Sequence, residues 1–422
     1  MEIKLDFSDI MVYNKNQGGG IMLTQFTFKN FRSYKDETTL DFQAVSGQGF
    51  AESLLSDGFK HEYLPVSVVY GPNGGGKSNV LEALATLIRI VSFPIFAIRG
   101  TLEQSVIRIS PFLFNNTSEN EPIEFEVFFQ PGDEYEYKYS LHILNLKIVN
   151  EQLYRRKLIN NGRITKLFTR DENGIELGAS LSKKSINREV NDHMPYLSFL
   201  ASNYNIESIN SAAQWFEQCG IINYSLPAAE NQILWNNDDR FKERLISLLN
   251  DTGVDITDIV KVENEDKSGA FVYFEHTVNN NKYRLSLDLE SNGTKKLFSL
   301  LPYVMKALNE GRLLIVDELD AKLHPKLLKY IIMLFKNPEV NRKKAQFVFT
   351  SHDVSTMKSS VFRTDEIWFA YKKDDESSDL YSLYELRDEN GNHIGTHTAF
   401  DKQYLEGRYG ADPYLKNMMD WS

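Results

Sequence analysis

The stretch that decides the fold runs from residue 66 to residue 78. It begins with the β-branched run Val66-Ser67-Val68-Val69-Tyr70 and continues as Gly71-Pro72-Asn73-Gly74-Gly75-Gly76-Lys77-Ser78. Beyond it, apolar residues recur at helical spacing, at Val80, Leu81, Leu84, Leu87, Ile88 and Val91. A strand, a glycine-rich loop and a helix in this order are typical of a phosphate-binding loop.

The residues from Gly71 to Ser78 carry the chemistry that phosphate binding needs. Glycines allow consecutive backbone N–H groups to turn towards a β-phosphate, and the helix N-terminus adds positive potential. Lys77 is suited to reach the β- and γ-phosphates, and Ser78 is suited to supply an oxygen to Mg²⁺. We therefore predict that the chain binds ATP together with Mg²⁺.

A second group of polar residues ends a buried strand. The apolar run Leu313-Leu314-Ile315-Val316 leads directly into Asp317 and Glu318. A magnesium site beside a phosphate loop needs a carboxylate in such a place. We predict that Asp317 holds the metal and that Glu318 is the general base that polarises the attacking water.

Two further phosphate contacts are predicted downstream of the loop. The run Phe347-Val348-Phe349-Thr350 reads as another strand, and His352 follows it, where a γ-phosphate sensor could sit. Ser291 and Gly293 stand immediately before a helix, and a small hydroxyl residue at a helix N-terminus forms a second phosphate-binding surface.

Composition and charge limit the classes of partner. The 422 residues include 47 Lys and Arg against 58 Asp and Glu, which gives a net charge of −11. This balance argues against a surface that coats nucleic acid non-specifically, but it leaves room for a local basic groove. The single cysteine, Cys219, and the lack of a recognisable signal segment favour the cytoplasm. The apolar stretch 80–98 contains Glu82, Arg89 and Pro94, so we expect no membrane-spanning helix.

Taken together, these motifs resemble the head of an ABC-type ATPase. The opening Phe28-Lys29-Asn30-Phe31-Arg32-Ser33-Tyr34 is similar to the branch shared with chromosome-maintenance and recombination ATPases. Further motifs are similar to bacterial abortive-infection and overcoming-lysogenisation-defect ATPases: Glu290-Ser291-Asn292-Gly293-Thr294, Asp317-Glu318-Leu319-Asp320 with Leu323-His324-Pro325, and Gly407-Arg408-Tyr409-Gly410-Ala411.

The resemblance implies an α/β fold, an ABC-type ATPase head with a mixed sheet, flanking helices, an antiparallel β meander and a helical insertion. We expect an N-terminal extension at 1–21, a first ATPase lobe with the phosphate loop and the meander at 22–180, and the helical insertion at 181–255. A second lobe at 256–422 would hold the signature, the acidic strand, the histidine and a C-terminal docking segment. We assign the aromatic residues of the meander to the core, namely Phe125, Phe128, Phe129, Tyr135, Tyr137 and Tyr139.

The resemblance also implies how the site is completed. Two heads, as a dimer or within a higher homo-oligomer, would sandwich two ATP molecules, with Lys77 and Ser78 of one chain facing Ser291 and Gly293 of the other. Asp320 would cross the interface, and Arg32 would lie near the nucleotide. The signature is Ser-Asn-Gly-Thr, and only Gln104 and Gln130 are candidates for the usual Mg²⁺-sensing glutamine, so hydrolysis could be slow or partner-dependent.

The function that this resemblance favours is the sensor or regulatory ATPase of an anti-phage defence system. Such a chain would control a separate effector, such as a nuclease or toxin, in response to a phage protein or DNA. The main alternative is a DNA repair or recombination ATPase. A transporter subunit would require a membrane permease, and a phosphate-loop kinase would require an acceptor site and would not pair on ATP.

Overall fold

The computed structural model describes residues 21–59, 61–94, 109–159, 162–223, 239–263, 270–320, 323–388, 390–395 and 398–411. The predicted N-terminal extension, apart from residue 21, and Gln104 lie outside the described residues.

The elements follow the predicted alternation of strands and helices. The strands are β1 (Met22–Lys29), β2 (Thr38–Asp41), β3 (Leu55–Ser56), β4 (Glu62–Tyr63), β5 (Val66–Tyr70), β6 (Ile123–Gln130), β7 (Tyr135–Leu144), β8 (Lys147–Lys157), β9 (Ile164–Asp171), β10 (Gly174–Leu177), β11 (Gly220–Asn223), β12 (Asp258–Glu263), β13 (Ala270–Val278), β14 (Asn281–Ser286), β15 (Leu313–Asp317), β16 (Gln346–Thr350), β17 (Ile367–Lys372) and β18 (Ser378–Ser382). The helices are α1 (Lys77–Ser92), α2 (Tyr196–Asn203), α3 (Glu207–Gln218), α4 (Asp239–Asp251), α5 (Asn292–Glu310), α6 (Pro325–Lys336) and α7 (Phe400–Leu405).

A six-stranded sheet forms the centre, in the order β11-β15-β16-β5-β17-β18. All neighbouring strands are parallel except β17 and β18, which form an antiparallel hairpin. Strands β5 and β16 are buried along their whole length, which is expected of parallel strands covered on both faces. The predicted parallel α/β core is confirmed.

Alternate residues of the central strands belong to two different cores. Val69, Ile315 and Val348 pack with α1 and the antiparallel sheet. Residues on the opposite face, such as Val68 and Val316, pack with α5 and α6. This side-to-side alternation follows from the two-residue period of a strand.

The predicted meander is confirmed as a seven-stranded antiparallel sheet, β10-β9-β8-β7-β6-β1-β2. Phe125, Phe129, Tyr137 and Tyr139 are fully buried in it. Tyr135 is half-buried and packs against this core. The assignment of Phe128 to the core is wrong, because its half-buried side chain is not part of this cluster. Cations lie over both rings: Lys138 Nζ is 5.3 Å from the Phe128 ring centre, and the Arg155 guanidinium is 4.1 Å from that of Tyr135.

The segment predicted as a helical insertion contains α2, α3 and α4, but it also contributes a strand. Residues 220–223 form β11, which pairs in parallel with β15 at the edge of the central sheet. A further sheet, β12-β13-β14, precedes α5. Within the described residues, no helix is long and apolar enough to cross a membrane.

Gln346 connects the two large sheets. Its side chain accepts from the Leu23 N–H at 2.6 Å and donates to the carbonyl oxygens of Leu23 and Leu64, both at 3.1 Å. The side chain is fully buried. Three backbone groups from distant parts of the chain therefore depend on one amide.

We expect Gln346→Ala to lower the free energy of unfolding by about 2–4 kcal/mol, because it leaves buried backbone groups unpaired. Urea-induced unfolding measures the change. Gln43→Ala is the control, since Gln43 is exposed and its side chain bonds to the half-buried His61. Equal unfolding midpoints for the two variants would contradict the bridging role.

Candidate functional site

The glycine-rich loop lies between β5 and α1, as predicted. Gly71 and Gly76 have φ angles of 147° and 107°, which side chains rarely adopt. A Cβ atom at Gly71 would overlap the carbonyl oxygen of Ala370 on β17, and a Cβ atom at Gly76 would come within 2.5 Å of Ser378 Oγ on β18. Close packing against this hairpin therefore requires glycine at both positions.

Lys77 begins α1, and its side chain turns back over the loop. Its Nζ donates to the carbonyl oxygens of residues 71 and 72, both at 2.9 Å. Burial lowers the pKa of Lys77 to about 8, against the opposing effect of the carboxylates of Asp317, Asp320 and Glu318. One buried cation and three acidic side chains thus meet at this edge of the sheet.

Thr350 orients the two residues that end β15. Its Oγ1 donates to Asp317 Oδ1 at 2.6 Å and accepts from the Glu318 N–H at 2.7 Å. Thr350 is 1% exposed. The other carboxylate oxygen of Asp317 makes no hydrogen bond to the described residues, so it is available to a cation.

The backbone of Glu318 is strained and held on both sides. Its φ angle is 51°, in the left-handed region that is uncommon for residues other than glycine. Its N–H is held by Thr350, and its carbonyl oxygen accepts from Lys296 Nζ of α5 at 2.8 Å. Such strain persists where surrounding contacts over-determine the conformation, and it is common at functional sites.

His352 lies beside Asp320, whose Oδ1 accepts from the His352 backbone N–H at 3.1 Å. Burial and the charge of Lys77 lower the pKa of His352, although Asp320, Glu318 and Asp317 act in the opposite direction. The ring is therefore biased towards neutral imidazole, which can both donate and accept a hydrogen bond.

Arg32 lies beside the first turns of α1. Its guanidinium donates to Asn79 Oδ1 and to Glu82 Oε1, both at 3.4 Å. The Asn79 amide in turn donates to Ser33 Oγ at 2.8 Å, and Ser378 Oγ donates to the same hydroxyl at 2.8 Å. The turn after β1 is thus tied to the helix that follows the phosphate loop.

Ser291 and Gly293 stand apart from this group. Ser291 caps α5 by accepting from the Thr294 N–H at 3.1 Å, as an N-cap residue does. It is exposed, and Gly293 is half-buried. Within the described residues, Ser291 is hydrogen-bonded to its own helix and not to the phosphate loop of the same chain.

Of the two glutamine candidates for a metal sensor, only Gln130 lies in the described residues. Gln130 ends β6, is 2% exposed, and donates from its amide to Tyr63 Oη at 3.1 Å. This hydrogen bond joins β6 to the short strand β4, so Gln130 has a structural contact. Gln104 lies outside the described residues.

Comparison with known proteins agrees with the geometry. Residues 66–358, more than half of the chain, match the family described as "AAA domain, putative AbiEii toxin, Type IV TA system". The chain belongs to this AAA-domain family. The matched residues extend from the first residue of β5 past His352, so they include the glycine loop, α5, the acidic pair and the histidine. No curated protein is significantly similar to the chain.

Solved structures with some similarity to this chain include SMC head domains and the recombination mediator protein RecF. An SMC head bound to the C-winged helix domain of ScpA is 14% identical, with a TM-score of 0.45 over 85% of this chain and 97% of that chain. The SMC head domain from Thermotoga maritima is 16% identical, with a TM-score of 0.39 over 85% and 98%. The recombination mediator protein RecF with ATP is 14% identical, with a TM-score of 0.37 over 87% and 100%. The fold of the AAA-domain protein is mixed α/β, with a largely parallel central sheet beside an antiparallel sheet.

Sequence reasoning missed two residues of the site, Thr350 and Lys296. Thr350 is the last residue of a predicted strand, and Lys296 is one of two adjacent lysines at a helix start. Its position at the end of a predicted strand could have identified Thr350 as a site residue. The sequence carried no signal for Lys296, because its contact with Glu318 depends on how α5 packs.

We expect Thr350→Val to lower the free energy of unfolding by about 1–3 kcal/mol, because it removes the donor to Asp317 and leaves the Glu318 N–H without its acceptor. Thr350→Ser keeps the hydroxyl and should lose clearly less. Thermal and urea unfolding of the two variants measure the difference. A valine variant as stable as the serine variant would show that the hydroxyl does not hold this segment.

Proposed function

We propose that the AAA-domain protein binds and hydrolyses ATP. One observation carries the proposal: Lys77, Asp317, Glu318 and His352 act on one another electrostatically at one edge of the central sheet. This edge adjoins a glycine loop that leads into a helix, and such loops bind phosphates through backbone N–H groups. Membership of an AAA-domain family supports a nucleotide as the ligand.

The residues fit a Mg²⁺ ion that is held partly by the nucleotide. Magnesium at nucleotide sites is bound through one or two carboxylates plus substrate phosphates. In keeping with this, the described part of the chain has no group of three or more His, Cys, Asp or Glu side chains that could hold a metal ion by itself. Asp317 and Ser78 would hold the ion. Magnesium, when bound, neutralises charge on the β- and γ-phosphates.

The remaining side chains would act directly on ATP and water. Lys77 would exchange its two carbonyl partners for phosphate oxygens, because a hydrogen bond between two charged groups is stronger than one to a neutral carbonyl. Glu318 would accept the proton of the attacking water. His352 would donate a hydrogen bond to the γ-phosphate, and Arg32 would face the nucleotide beside α1.

We further propose that two heads form the complete site. Ser291 and Gly293 stand at the start of α5. Ser291 is exposed and is hydrogen-bonded to its own helix, not to the glycine loop of its own chain. A helix N-terminus favours anions, so the α5 start of one chain would bind the γ-phosphate held by Lys77 and Ser78 of another. Asp320 would lie at the same interface. Pairing would then depend on ATP.

The biological role that we propose is the regulatory ATPase of an abortive-infection system. The family description, which names a toxin and a toxin–antitoxin system, supports this role. ATP-dependent pairing would control a separate effector, a nuclease or toxin, in response to a phage protein or DNA. Hydrolysis would be slow or dependent on that partner.

We expect Lys77→Ala to abolish ATP turnover and to weaken ATP binding at least about tenfold, because it removes the cation that faces the phosphates. Phosphate release and equilibrium binding of ATP with Mg²⁺ measure the two effects. Lys329→Ala, on the exposed face of α6, is the control. Unchanged binding and turnover in the Lys77 variant would overturn the site.

The same variant tests the biological role. Cells that carry the chain with the gene beside it are infected with phages, and plaque counts are compared with those of Lys77→Ala cells. We expect protection by the unmodified chain and its loss in the variant. A chain that hydrolyses ATP without protecting against any phage, but protects cells from DNA damage, would favour the repair alternative.

Mixing two inactive variants tests the paired site. Ser291→Arg should block turnover, because a bulky cation at the α5 start would fill the place of the partner's γ-phosphate. A mixture of Ser291→Arg and Lys77→Ala chains contains pairs with one intact composite site. We expect turnover to return in the mixture, measured as phosphate release. A mixture of folded, pairing chains that stays inactive would contradict head-to-head assembly.

A further inference from the structure

A buried lysine connects the start of α5 to the residue proposed as the general base. Lys296 is 7% exposed, and its Nζ donates to the carbonyl oxygen of Glu318 at 2.8 Å. Burying an ammonium is costly unless it is well hydrogen-bonded. The hydrogen bond to Glu318 helps to meet this requirement. It also holds the carbonyl group of a residue whose φ angle of 51° is already strained.

The same helix begins with the surface proposed to bind the partner's γ-phosphate. Ser291 caps α5, and Lys296 follows five residues later, about 7 Å along the helix axis. Between Leu297 and Leu308 most of the helix is buried, and it packs against the central sheet. A helix held in this way moves as a unit, because a close-packed core resists local deformation.

We propose that Lys296 is a positioning residue: when the α5 start binds the nucleotide held by a second chain, Lys296 changes the position of Glu318 in its own chain. This inference rests on the proposed function. When a second chain presents its γ-phosphate to Ser291, any shift of α5 moves the Lys296 ammonium and, with it, the carbonyl of Glu318. The Glu318 N–H stays anchored to Thr350 Oγ1, and the Leu319 N–H donates to the Thr350 carbonyl oxygen at 3.1 Å, so the shift turns the backbone of Glu318 about these two anchors instead of displacing the whole segment.

Hydrolysis at one site is thereby tied to occupancy of the other. Lys296 links the α5 start, which binds the nucleotide held by the partner, to Glu318, which acts on the nucleotide held by its own chain. In a symmetric pair, engagement of a chain's own α5 start would raise the rate that its own base supports. Turnover at each site would therefore be fastest when both sites are occupied.

The test compares turnover in paired and unpaired chains. ATP turnover of the full chain is measured over protein concentrations that span pairing, and pairing is followed by sedimentation velocity. A correctly placed general base raises a reaction rate roughly 10²–10⁴-fold. We therefore expect turnover per chain to rise about tenfold or more on pairing. Lys296→Met should lower this rise at least about threefold while ATP affinity and pairing stay within about twofold of the unmodified chain.

Lys306→Met is the matched control, because Lys306 lies on the same helix ten residues further on and should keep the rise. Lys296→Gln, whose side chain is too short to reach Glu318, provides a second variant if the methionine variant does not fold. A rise retained in both Lys296 variants overturns the inference. So does a loss of turnover that only parallels a loss of thermal stability or ATP affinity, since that indicates a structural role.

The two proposals fail in different ways. An unmodified chain that neither binds nor hydrolyses ATP contradicts the proposed function, and the inference falls with it. A chain whose turnover rises on pairing to the same extent in Lys296→Met as in the unmodified chain leaves the ATPase function and the paired site standing and overturns only the role of Lys296.

Discussion

The parallel register of the central strands is the constraint on which the site depends. Val316 of β15 lies opposite Phe349 of β16, and Thr350 lies opposite Val69 of β5. The carboxyl ends of parallel strands meet at one edge of a sheet, so this register places Asp317 beside Thr350 and both beside the entry to the glycine loop. A shift of one residue would turn every side chain to the other face.

Steric contact with the β17–β18 hairpin also fixes the glycine-rich loop. The hairpin of β17 and β18 leaves no space for a side chain at Gly71 or Gly76. Ser378 on this hairpin also bonds to Ser33, which is bonded to Asn79 of α1. The phosphate loop is therefore held between the C-terminal hairpin and the turn after β1, two parts of the chain that are far apart in sequence.

Burial changes the pKa values of two side chains at this edge of the central sheet. Desolvation lowers the pKa values of Lys77 and His352, and the nearby acidic side chains oppose this effect without cancelling it. Asp317 is held by the neutral hydroxyl of Thr350 and makes no direct ion pair with the described residues. The ATP with Mg²⁺ that we propose as the ligand would match this arrangement of one cation and several carboxylates.

The sequence by itself determined the glycine-rich loop between a strand and a helix, the acidic pair at the end of β15 and the strand before His352, because strands, helix starts and glycine turns are encoded by local spacing. It did not determine which side of the meander Phe128 takes: Phe128 and Phe129 are adjacent, and one of them must face outwards. Only the tertiary structure decided the roles of Thr350 and Lys296. Both act on Glu318 through contacts between elements that are distant along the chain, and no local pattern encodes such contacts.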